Sequence, residues 1–317
     1  MITINTAESA LKNIYLETVV HDINTKTNPL LTMAQKNTKT IAEKDARAVI
    51  RYGGEDMVKS GHEDGVLPTA LDARQAEIVE PIKNIYGAFY ITDKALKAAA
   101  NNPGAFASLV GGEMVNLVSM AQNNLNRMIF GNGQGLDMNG IDSLFQADTM
   151  YNLSKADHAD ILPFESLNSV ANRIITEDDI LCFLDDMEEH AGGQATDLIM
   201  THPMIRRALF EELKNNRTNI DTAELAGGFR GFTFNGIPMY ADVRCEGGAV
   251  YALNSESFAM QQLCDWTWLE GDDGSILRPV SGRPVYSATL VKYADFICEK
   301  PFLQGKLAGF DATRFRA

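Results

Sequence analysis

The strongest constraint on the fold is one long amphipathic segment that runs from about residue 103 to about residue 130. Asn102 and Pro103 open it and are typical of a helix cap and first turn. Apolar residues then recur every three or four positions, at Phe106, Leu109, Val110, Met114, Leu117, Met120, Ala121, Leu125 and Met128. A helix of this length spans about 40 Å, longer than most small domains are wide. The segment therefore predicts a structural spine, ended by the glycines of residues 131–135.

The charge of the chain argues against direct recognition of nucleic acid. Its 42 acidic and 28 basic residues give a net charge of −14, and the basic residues form no block. Sequence-independent binding to phosphate backbones needs a basic stripe. An acidic wall is nevertheless compatible with enclosing DNA, because a wall that repels phosphates does not trap the polymer.

Cysteine usage and hydropathy indicate a soluble protein made in a cytoplasm. Cys182, Cys245, Cys264 and Cys298 lie far apart and form no CxxC pair, so we expect reduced, mostly buried thiols. No run of about 18 uncharged apolar residues occurs. The N-terminus also lacks the basic and then apolar pattern of a secretory signal.

A predicted ribbon of two strands precedes the spine. Residues 46–52 and 74–91 are rich in β-forming side chains, and the glycine-rich, charged segment 53–68 between them is too long for a hairpin turn. A two-stranded ribbon is marginal alone, so we expect it to lie on another subunit. The first 31 residues or so predict an arm with a short amphipathic helix through Leu11 and Val19, which stops before Pro29.

Residues 139–263 alternate predicted helices and strands, as in a compact α/β or α+β unit. Thr176 caps one predicted helix and a second begins at Pro203, with a buried strand at 197–201 between them. Residues 231–254 predict a three-strand meander with turns at 235–236 and 247–248. Long strands follow, one carrying Trp266 and Trp268 on the same face and one at residues 285–297.

The densest set of potential metal ligands is Asp186, Glu189 and His190 on the helix capped by Thr176. Asp186 and His190 stand four residues apart on one helix face, where a divalent metal could use them, and a metal-dependent hydrolase therefore stays open as an alternative. The favoured interpretation is a solvated acidic face, because no further ligands are identifiable nearby. The sequence contains no nucleophile elbow or phosphate-binding motif. We therefore expect no catalytic, metal or cofactor site, and His202 is expected to begin a helix.

The order of these elements resembles the major capsid proteins of tailed bacteriophages with the Hong Kong 97-type fold. The residues that carry the resemblance are KSGHEDGVLP at 59–68, NNLNRMIFGNGQG at 123–135, GFTFNGIPM at 231–239 and YALN at 251–254. The resemblance implies an α+β chain with an N-terminal arm at 1–45 and an extended β-ribbon loop at 46–91. A peripheral domain with the spine helix would occupy 92–138 and 264–317, and a compact axial domain would occupy 139–263.

The same resemblance implies a structural protein and not an enzyme. Pentamers and hexamers of one chain would form an icosahedral virion shell around double-stranded DNA, assembled in the host cytoplasm with a portal. Because the arm begins almost at Met1, we expect a separate scaffolding protein. The extended loop would lie across a neighbouring subunit through Glu55, Asp56, Met57, Val58, Lys59, His62, Glu63, Asp64, Val66 and Leu67. We do not expect Lys59 to cross-link, since no partner asparagine is identifiable.

Two further alternatives stay open at this point. An encapsulin-like nanocompartment shares the expected fold but houses enzymes. A monomeric binding module would use Trp266 and Trp268 as a stacking surface, although two tryptophans on one strand face more often pack in a core.

Overall fold

The structure is a computed structural model of the chain. It describes residues 19–22, 29–52, 60, 62–63, 74–99, 103–170, 173–193, 196–216, 222–225 and 229–311. Residues 19–22 are helical, whereas the rest of the helix expected around Leu11 lies outside the described residues. Among the helices described here, none is both long enough and apolar enough to cross a membrane.

The regular elements alternate along the chain. The α-helices are α1 Pro29–Lys36, α2 Asp93–Ala99, α3 Pro103–Ile129, α4 Glu177–His190 and α5 Pro203–Asn216. Short 3-10 helices cover Ile141–Ser143, Ala159–Ile161, Ser255–Ser257 and Pro301–Leu303. The strands are β1 Lys39–Thr40, β2 Asp45–Tyr52, β3 Arg74–Pro81, β4 Lys83–Thr92, β5 Thr149–Met150, β6 Leu153–Ser154, β7 Phe164–Leu167, β8 Leu198–Thr201, β9 Thr222–Leu225, β10 Phe229–Phe234, β11 Ile237–Ala241, β12 Val250–Leu253, β13 Phe258–Trp268, β14 Arg278–Pro279, β15 Val285–Cys298 and β16 Gly305–Ala308.

The spine helix α3 confirms the longest predicted element. Its 27 residues bury a stripe that faces β4 and the core. The stripe consists of Val110, Met114, Leu117, Leu125 and Met128. Met120, which the periodicity placed in the stripe, is instead 69% exposed. The prediction was wrong there because a helix of 3.6 residues per turn drifts, so position 120 leaves the face set by positions 114 and 117.

The spine helix packs on a five-stranded sheet whose longest strand is β15. β15 pairs antiparallel with β13, β4 and β14, and β1 adds to β13 in parallel. Trp266 and Trp268 lie on one face of β13 as predicted, and both are buried. The Trp268 ring meets Phe89 of β4 edge-on, with 5.9 Å between the ring centroids. These contacts make the tryptophans part of the core.

Residues 74–91, expected as one strand, form two strands that are separated at Ile82. β3 pairs with β2 in a two-stranded ribbon, whereas β4 joins the five-stranded sheet. The Ile82 N–H donates to the Lys44 carbonyl, at a nitrogen–oxygen distance of 3.0 Å. Pro81 ends the ribbon strand because proline has no N–H to continue a ladder, and the chain changes partners directly after it.

A seven-stranded mixed sheet forms the second layer, in the order β7-β16-β12-β8-β11-β10-β9. The hairpin at Asn235 and Gly236 is confirmed, with φ of 47° and 83°. The prediction of a three-strand meander is wrong, because β12 does not pair with β11. Instead, β8 lies between these two strands and pairs with both. β8 is a buried strand of four residues that forms hydrogen bonds with a neighbour on each side. Such long-range pairing cannot be inferred from turn residues.

Helix α4 begins as predicted at Thr176, whose hydroxyl accepts from the Asp179 N–H in a capping box. Its apolar face packs over the seven-stranded sheet, and the Phe164 and Phe183 rings lie 5.9 Å apart. Helix α1, which the sequence analysis missed, starts at Pro29 and buries Leu30 and Leu31 against the core. Proline is favourable in the first turn of a helix, where its missing N–H has no partner to lose.

Two strands lie across the domain boundaries expected from the sequence. β13 begins at Phe258 and belongs to the five-stranded sheet, although residues up to 263 were grouped with the axial unit. β16, grouped with the peripheral residues 264–317, pairs instead with β7 and β12 of the seven-stranded sheet. The chain therefore crosses between the two sheets once more than expected, after Cys298.

Candidate functional site

Most of the ten loop residues expected at a subunit contact lie outside the described residues. His62 and Glu63 are described, and both are exposed. No described residue of the same chain covers these two side chains, so both are accessible to another molecule.

The ribbon buries one face in its own subunit. The buried side chains are Ala46, Ala48, Ile50, Ala76 and Ile78. Alternate positions point outward because neighbouring residues of a strand face opposite sides. The outward set includes Arg47, Val49 and Arg51, with Val49 54% exposed. The ribbon is thus rooted in its own core and presents a polar outer face, on which Arg47 forms an ion pair with Glu77.

Two side-chain amides hold the root of the ribbon from opposite edges. The Arg47 N–H donates to Gln261 Oε1 at 2.9 Å, and Gln261 Nε2 donates back to the Arg47 carbonyl at 2.8 Å. On the other edge, the Val79 N–H donates to Asn152 Oδ1 at 2.9 Å. Arg47 and Val79 are cross-strand partners. Both amides therefore act at the same level of the ribbon, where backbone groups would otherwise lack partners.

The outward face of β4 is uncharged and aromatic. We call it the tyrosine face, and its side chains are Asn84, Tyr86, Ala88, Tyr90 and Thr92. Their partners on β15 are Val285, Ser287, Thr289, Val291 and Tyr293. Tyr86 and Tyr90 are 58% and 66% exposed. These ten positions carry no charged residue in a chain that is 22% charged. Val291 is buried and the other β15 positions are partly exposed, so the exposed part of the face is the β4 side, and exposed aromatic side chains of this kind are typical of protein interfaces.

A buried carboxyl connects the five-stranded sheet with the turn that follows the spine helix. Asp295 of β15 is fully buried and accepts from the backbone N–H of Asn139 at 2.8 Å and from Asn139 Nδ2 at 2.7 Å. Burial raises the pKa of Asp295 to about 7, and these hydrogen bonds limit the rise. Burial also raises the pKa of Glu80 in the ribbon, and the nearby Asn139 side chain and Lys83 limit that rise.

The potential metal ligands on α4 do not form a site. Asp186, Glu189 and His190 are exposed, and His190 Nε2 contacts the Leu162 carbonyl at 2.9 Å. Within the described ranges, no group of three or more histidine, cysteine, aspartate or glutamate side chains is arranged to hold a metal ion. His202 stands at the start of α5, where its Nδ1 accepts from the Met204 N–H at 3.3 Å. This contact supports the structural role expected for His202.

The cysteines and tryptophans are also structural. All four cysteines are free, with Cys245 and Cys298 buried and Cys182 exposed. Burial raises the pKa of the Cys245 and Cys298 thiols, so neither is activated as a thiolate. Trp266 and Trp268 are each 4% exposed, and a stacking surface for a ligand would need them open to solvent.

Sequence reasoning missed Gln261, Asn152, Asp295 and the two exposed tyrosines. For Gln261 and Asp295, the sequence did contain a signal. Gln261 and Asp295 are lone polar residues inside runs that otherwise read as buried strands, and a buried polar group needs hydrogen-bonding partners. The partners themselves could not be identified, because they are more than 150 positions away along the chain.

No protein-family model and no curated protein matches the chain. Solved structures do match it over nearly its whole length. The capsid subunit of cyanophage A-1(L) is 13% identical, with 90% of this chain and 93% of that chain covered and a TM-score of 0.68. The capsid of a native GTA particle is 10% identical, with coverage of 89% and 90% and a TM-score of 0.57. An encapsulin from Synechococcus elongatus PCC 7942 is 11% identical, with coverage of 90% and 89% and a TM-score of 0.54. The α+β chain, with its ribbon, spine helix and two sheets, therefore has the Hong Kong 97-type fold of capsid-shell subunits.

Proposed function

We propose that the chain is the structural subunit of a closed icosahedral shell, the major capsid protein of a tailed bacteriophage. The observation that carries the proposal is the whole-chain similarity to shell subunits, strongest in TM-score for the cyanophage capsid among those reported above. Pentamers and hexamers of this chain would form the shell. Many modest heterologous contacts can together stabilise such a closed assembly.

The domain assignment follows from the same proposal. Residues 1–45 would be the arm and 46–91 the extended loop with its ribbon. The peripheral domain would comprise 92–138 and 264–317, and residues 139–263 would form the axial domain. The sheet memberships support moving β4 to the peripheral domain and β16 to the axial domain, because strands of one sheet fold together.

The extended loop would bind a neighbouring copy through residues 55–59, 62–64, 66 and 67, which include His62 and Glu63. We propose the tyrosine face of that neighbour as the surface that receives the ribbon and loop. Tyr86 and Tyr90 offer broad, exposed rings, and Arg51 on the outward face of the ribbon supplies a guanidinium that stacks well on aromatic rings. The absence of charge on the tyrosine face avoids repulsion between two strongly acidic copies.

Deletion of residues 54–66 tests the loop contact. The loop is proposed to contact only neighbours, so the shortened subunit should fold with unchanged cooperativity and fail to form shells. Negative-stain electron microscopy and sedimentation velocity read out assembly, and circular dichroism reads out folding. Asp186→Ala, an exposed change on α4, is the matched control that should assemble normally. Normal shells from the deletion variant would refute the loop assignment.

The shell would enclose double-stranded DNA without binding its sequence, with a separate scaffolding protein and a portal as partners. Its location would be the virion capsid, after assembly in the host cytoplasm. The net charge of −14 disfavours direct binding of DNA and is compatible with a container wall. Particles purified from producing cells should contain nuclease-resistant double-stranded DNA of uniform length. Particles without DNA from these producing cells would contradict the proposal that the shell encloses DNA.

An encapsulin-like nanocompartment is the second candidate, favoured by the match to the encapsulin over 90% of the chain. The contents of purified particles separate the two functions. A co-purifying enzyme inside the shell would identify a nanocompartment, whereas terminase and portal genes beside the gene would identify a phage.

Catalysis is not part of the proposed function. The structural neighbours described above are shell proteins, and Asp186, Glu189 and His190 do not converge on a common site. Elemental analysis of the purified subunit tests the hydrolase alternative. A stoichiometric divalent metal that Asp186→Ala removes would support it, and metal-free protein would exclude a metal site at these residues.

A further inference from the structure

β4 is an edge strand whose second edge pairs with no other strand among the described residues. Its pairing with β15 runs in one continuous register from Lys83 to Thr92. Directly before β4, the Ile82 N–H donates to the Lys44 carbonyl, and directly after it α2 begins at Asp93. The open edge is therefore limited to the strand itself.

The backbone groups on this open edge belong to the residues of the tyrosine face. The Asp93 N–H donates to the carbonyl of Pro284, the residue before β15, at 2.9 Å, and this bond sets the phase of the ladder. In an antiparallel pair, residues that bond to the partner strand alternate with residues whose N–H and C=O point away from it. The odd-numbered residues of β4 therefore bond to β15. The even-numbered residues direct their backbone groups outward, and they are Asn84, Tyr86, Ala88, Tyr90 and Thr92.

This edge lacks the features that commonly protect an exposed strand from pairing. Proteins shield such edges with lysine, proline, bulges or very short strands. The five outward residues include no charged residue and no proline, and all five are exposed. β4 is 10 residues long, and its ladder to β15 contains no bulge. The edge can therefore accept a further strand, which would bond the outward N–H and C=O groups.

The order of the five outward residues makes the edge complementary to itself. When two copies of β4 align antiparallel with Ala88 at the centre, Ala88 faces the partner's Ala88. Tyr86 then lies beside the partner's Tyr90, and Asn84 lies beside the partner's Thr92. Aromatic pairs are favourable cross-strand neighbours, and an amide and a hydroxyl can hydrogen-bond. No pair brings like charges together, although each copy carries a net charge of −14.

We propose that the open edge of β4 pairs with the same edge of a second copy of this chain, antiparallel and centred on Ala88. The two five-stranded sheets then join into one, related by a two-fold axis perpendicular to the sheet. Both tyrosine faces lie on one side of the joined sheet. Both spine helices lie on the other side, where Leu117 packs at Gly87. The edge pairing leaves the outer surfaces of the rings open, and it does not depend on the proposed function.

Disulfide trapping tests the partner and the register together. Ala88→Cys should form a covalent dimer on mild oxidation, because facing residues of such a pair lie about 5.5 Å apart at Cα, within disulfide range. A Cys182→Ser background removes the exposed native thiol. Asn84→Cys is the matched control, since the two copies of position 84 would stand about 27 Å apart at about 3.4 Å per residue. Non-reducing electrophoresis measures the dimer.

A mixture of two variants checks the register independently. Asn84→Cys and Thr92→Cys should each stay monomeric alone and should form a mixed dimer when combined, because these two positions face each other only in the proposed alignment. An Ala88→Cys protein that stays monomeric overturns the proposal. Equal cross-linking of Asn84→Cys and Ala88→Cys overturns it as well.

Sedimentation velocity across a concentration series measures the pairing without a cross-link. One strand pair is small beside the roughly 1,200–2,000 Å² of a stable interface, so we expect a weak dimer that forms at high concentration. Ala88→Lys places two ammonium groups opposite each other on the axis and should raise the dimer Kd at least about tenfold. Position 88 is exposed and its backbone does not bond to β15, so this variant should fold, which circular dichroism checks.

Val170→Lys adds the same charge at an exposed aliphatic residue outside the five-stranded sheet and should leave the dimer Kd unchanged. Unaltered dimerisation of Ala88→Lys, or a wild type that stays monomeric up to about 1 mM, would contradict the edge contact. Sedimentation separates dimers from shells by size. Loss of the edge contact is therefore distinguishable from failure of the proposed shell.

Discussion

The side-chain amide of Gln261 pairs with the backbone of Arg47 as a neighbouring β-strand would. One amide accepts from the Arg47 N–H and donates to the Arg47 carbonyl, at 2.9 and 2.8 Å, across 214 positions of sequence. Gln261 itself is 2% exposed and lies on β13 of the five-stranded sheet. A rigid strand of the sheet therefore fixes the point from which the ribbon projects.

We predict that Gln261→Ala destabilises the root of the ribbon by about 1–3 kcal/mol, because two backbone groups lose their partners. Hydrogen exchange should quicken for peptides within β2 and β3 while the seven-stranded sheet keeps its protection. Gln75→Ala, at an exposed glutamine of the same ribbon, is the control and should change stability by less than about 0.5 kcal/mol. Equal protection in Gln261→Ala and wild type would show that the ribbon is held elsewhere.

The spine helix offers a matched pair of substitutions at neighbouring positions. Leu117 is 4% exposed and packs on Gly87, where a Cβ would come within 2.9 Å of Leu117 Cδ1. Leu117→Asp should prevent folding, because it places a charge in the core between helix and sheet. Val115→Asp adds the same charge two positions earlier, where the side chain is 69% exposed, and should fold. Far-ultraviolet circular dichroism and the soluble yield distinguish them, and a folded Leu117→Asp protein would show that this stripe is not core.

The elements that sequence patterns predicted well are those specified by local chemistry. The spine helix follows from its own periodicity, the helix at Thr176 from its capping box and the turn at Asn235 from residues that accept positive φ. Each signal lies within a few residues of the feature that it specifies. The fold family could be inferred because the order of such local features is itself characteristic.

The features that escaped prediction depend on partners far away in the chain. Insertion of β8 between β11 and β12 is a choice among pairings, and a four-residue buried strand carries no information about which neighbours it takes. Gln261 and Asp295 could be recognised as buried polar residues, but their partners Arg47 and Asn139 could not. The tyrosine face was hidden because Tyr86 and Tyr90 alternate with core residues and were counted as β-forming side chains.

The tyrosine face should matter for assembly and not for folding. The double variant Tyr86→Ala/Tyr90→Ala removes two exposed rings, so unfolding should shift by less than about 1 kcal/mol. If each ring contributes about 1.4 kcal/mol or more to a subunit contact, the concentration needed for assembly should rise at least about tenfold per ring. Light scattering across a concentration series measures this, with Asp186→Ala, the exposed change on α4, as the control. Assembly at the wild-type concentration would place the contact on another surface.

Lys292 of β15 is a cation that is almost completely buried in the five-stranded sheet. It is 4% exposed, donates to Asp265 Oδ1 at 2.8 Å and lies 5.9 Å from the centroid of the Trp266 ring. Asp265 is 44% exposed at its side chain, so water can solvate it without the lysine. The buried lysine therefore needs Asp265 as a counter-ion, whereas the partly exposed aspartate can be solvated by water in place of the lysine.

Replacing each partner should show that inequality. Asp265→Ala leaves the buried ammonium without its counter-ion and should destabilise the subunit by about 2–3 kcal/mol, whereas Lys292→Met keeps the length of the side chain and should be neutral or stabilising by about 1 kcal/mol. Adding Lys292→Met to Asp265→Ala should restore most of the loss. Denaturant unfolding followed by tryptophan fluorescence measures all three, since Trp266 adjoins the pair. Equal losses from both single substitutions would mean that the lysine charge itself stabilises the core.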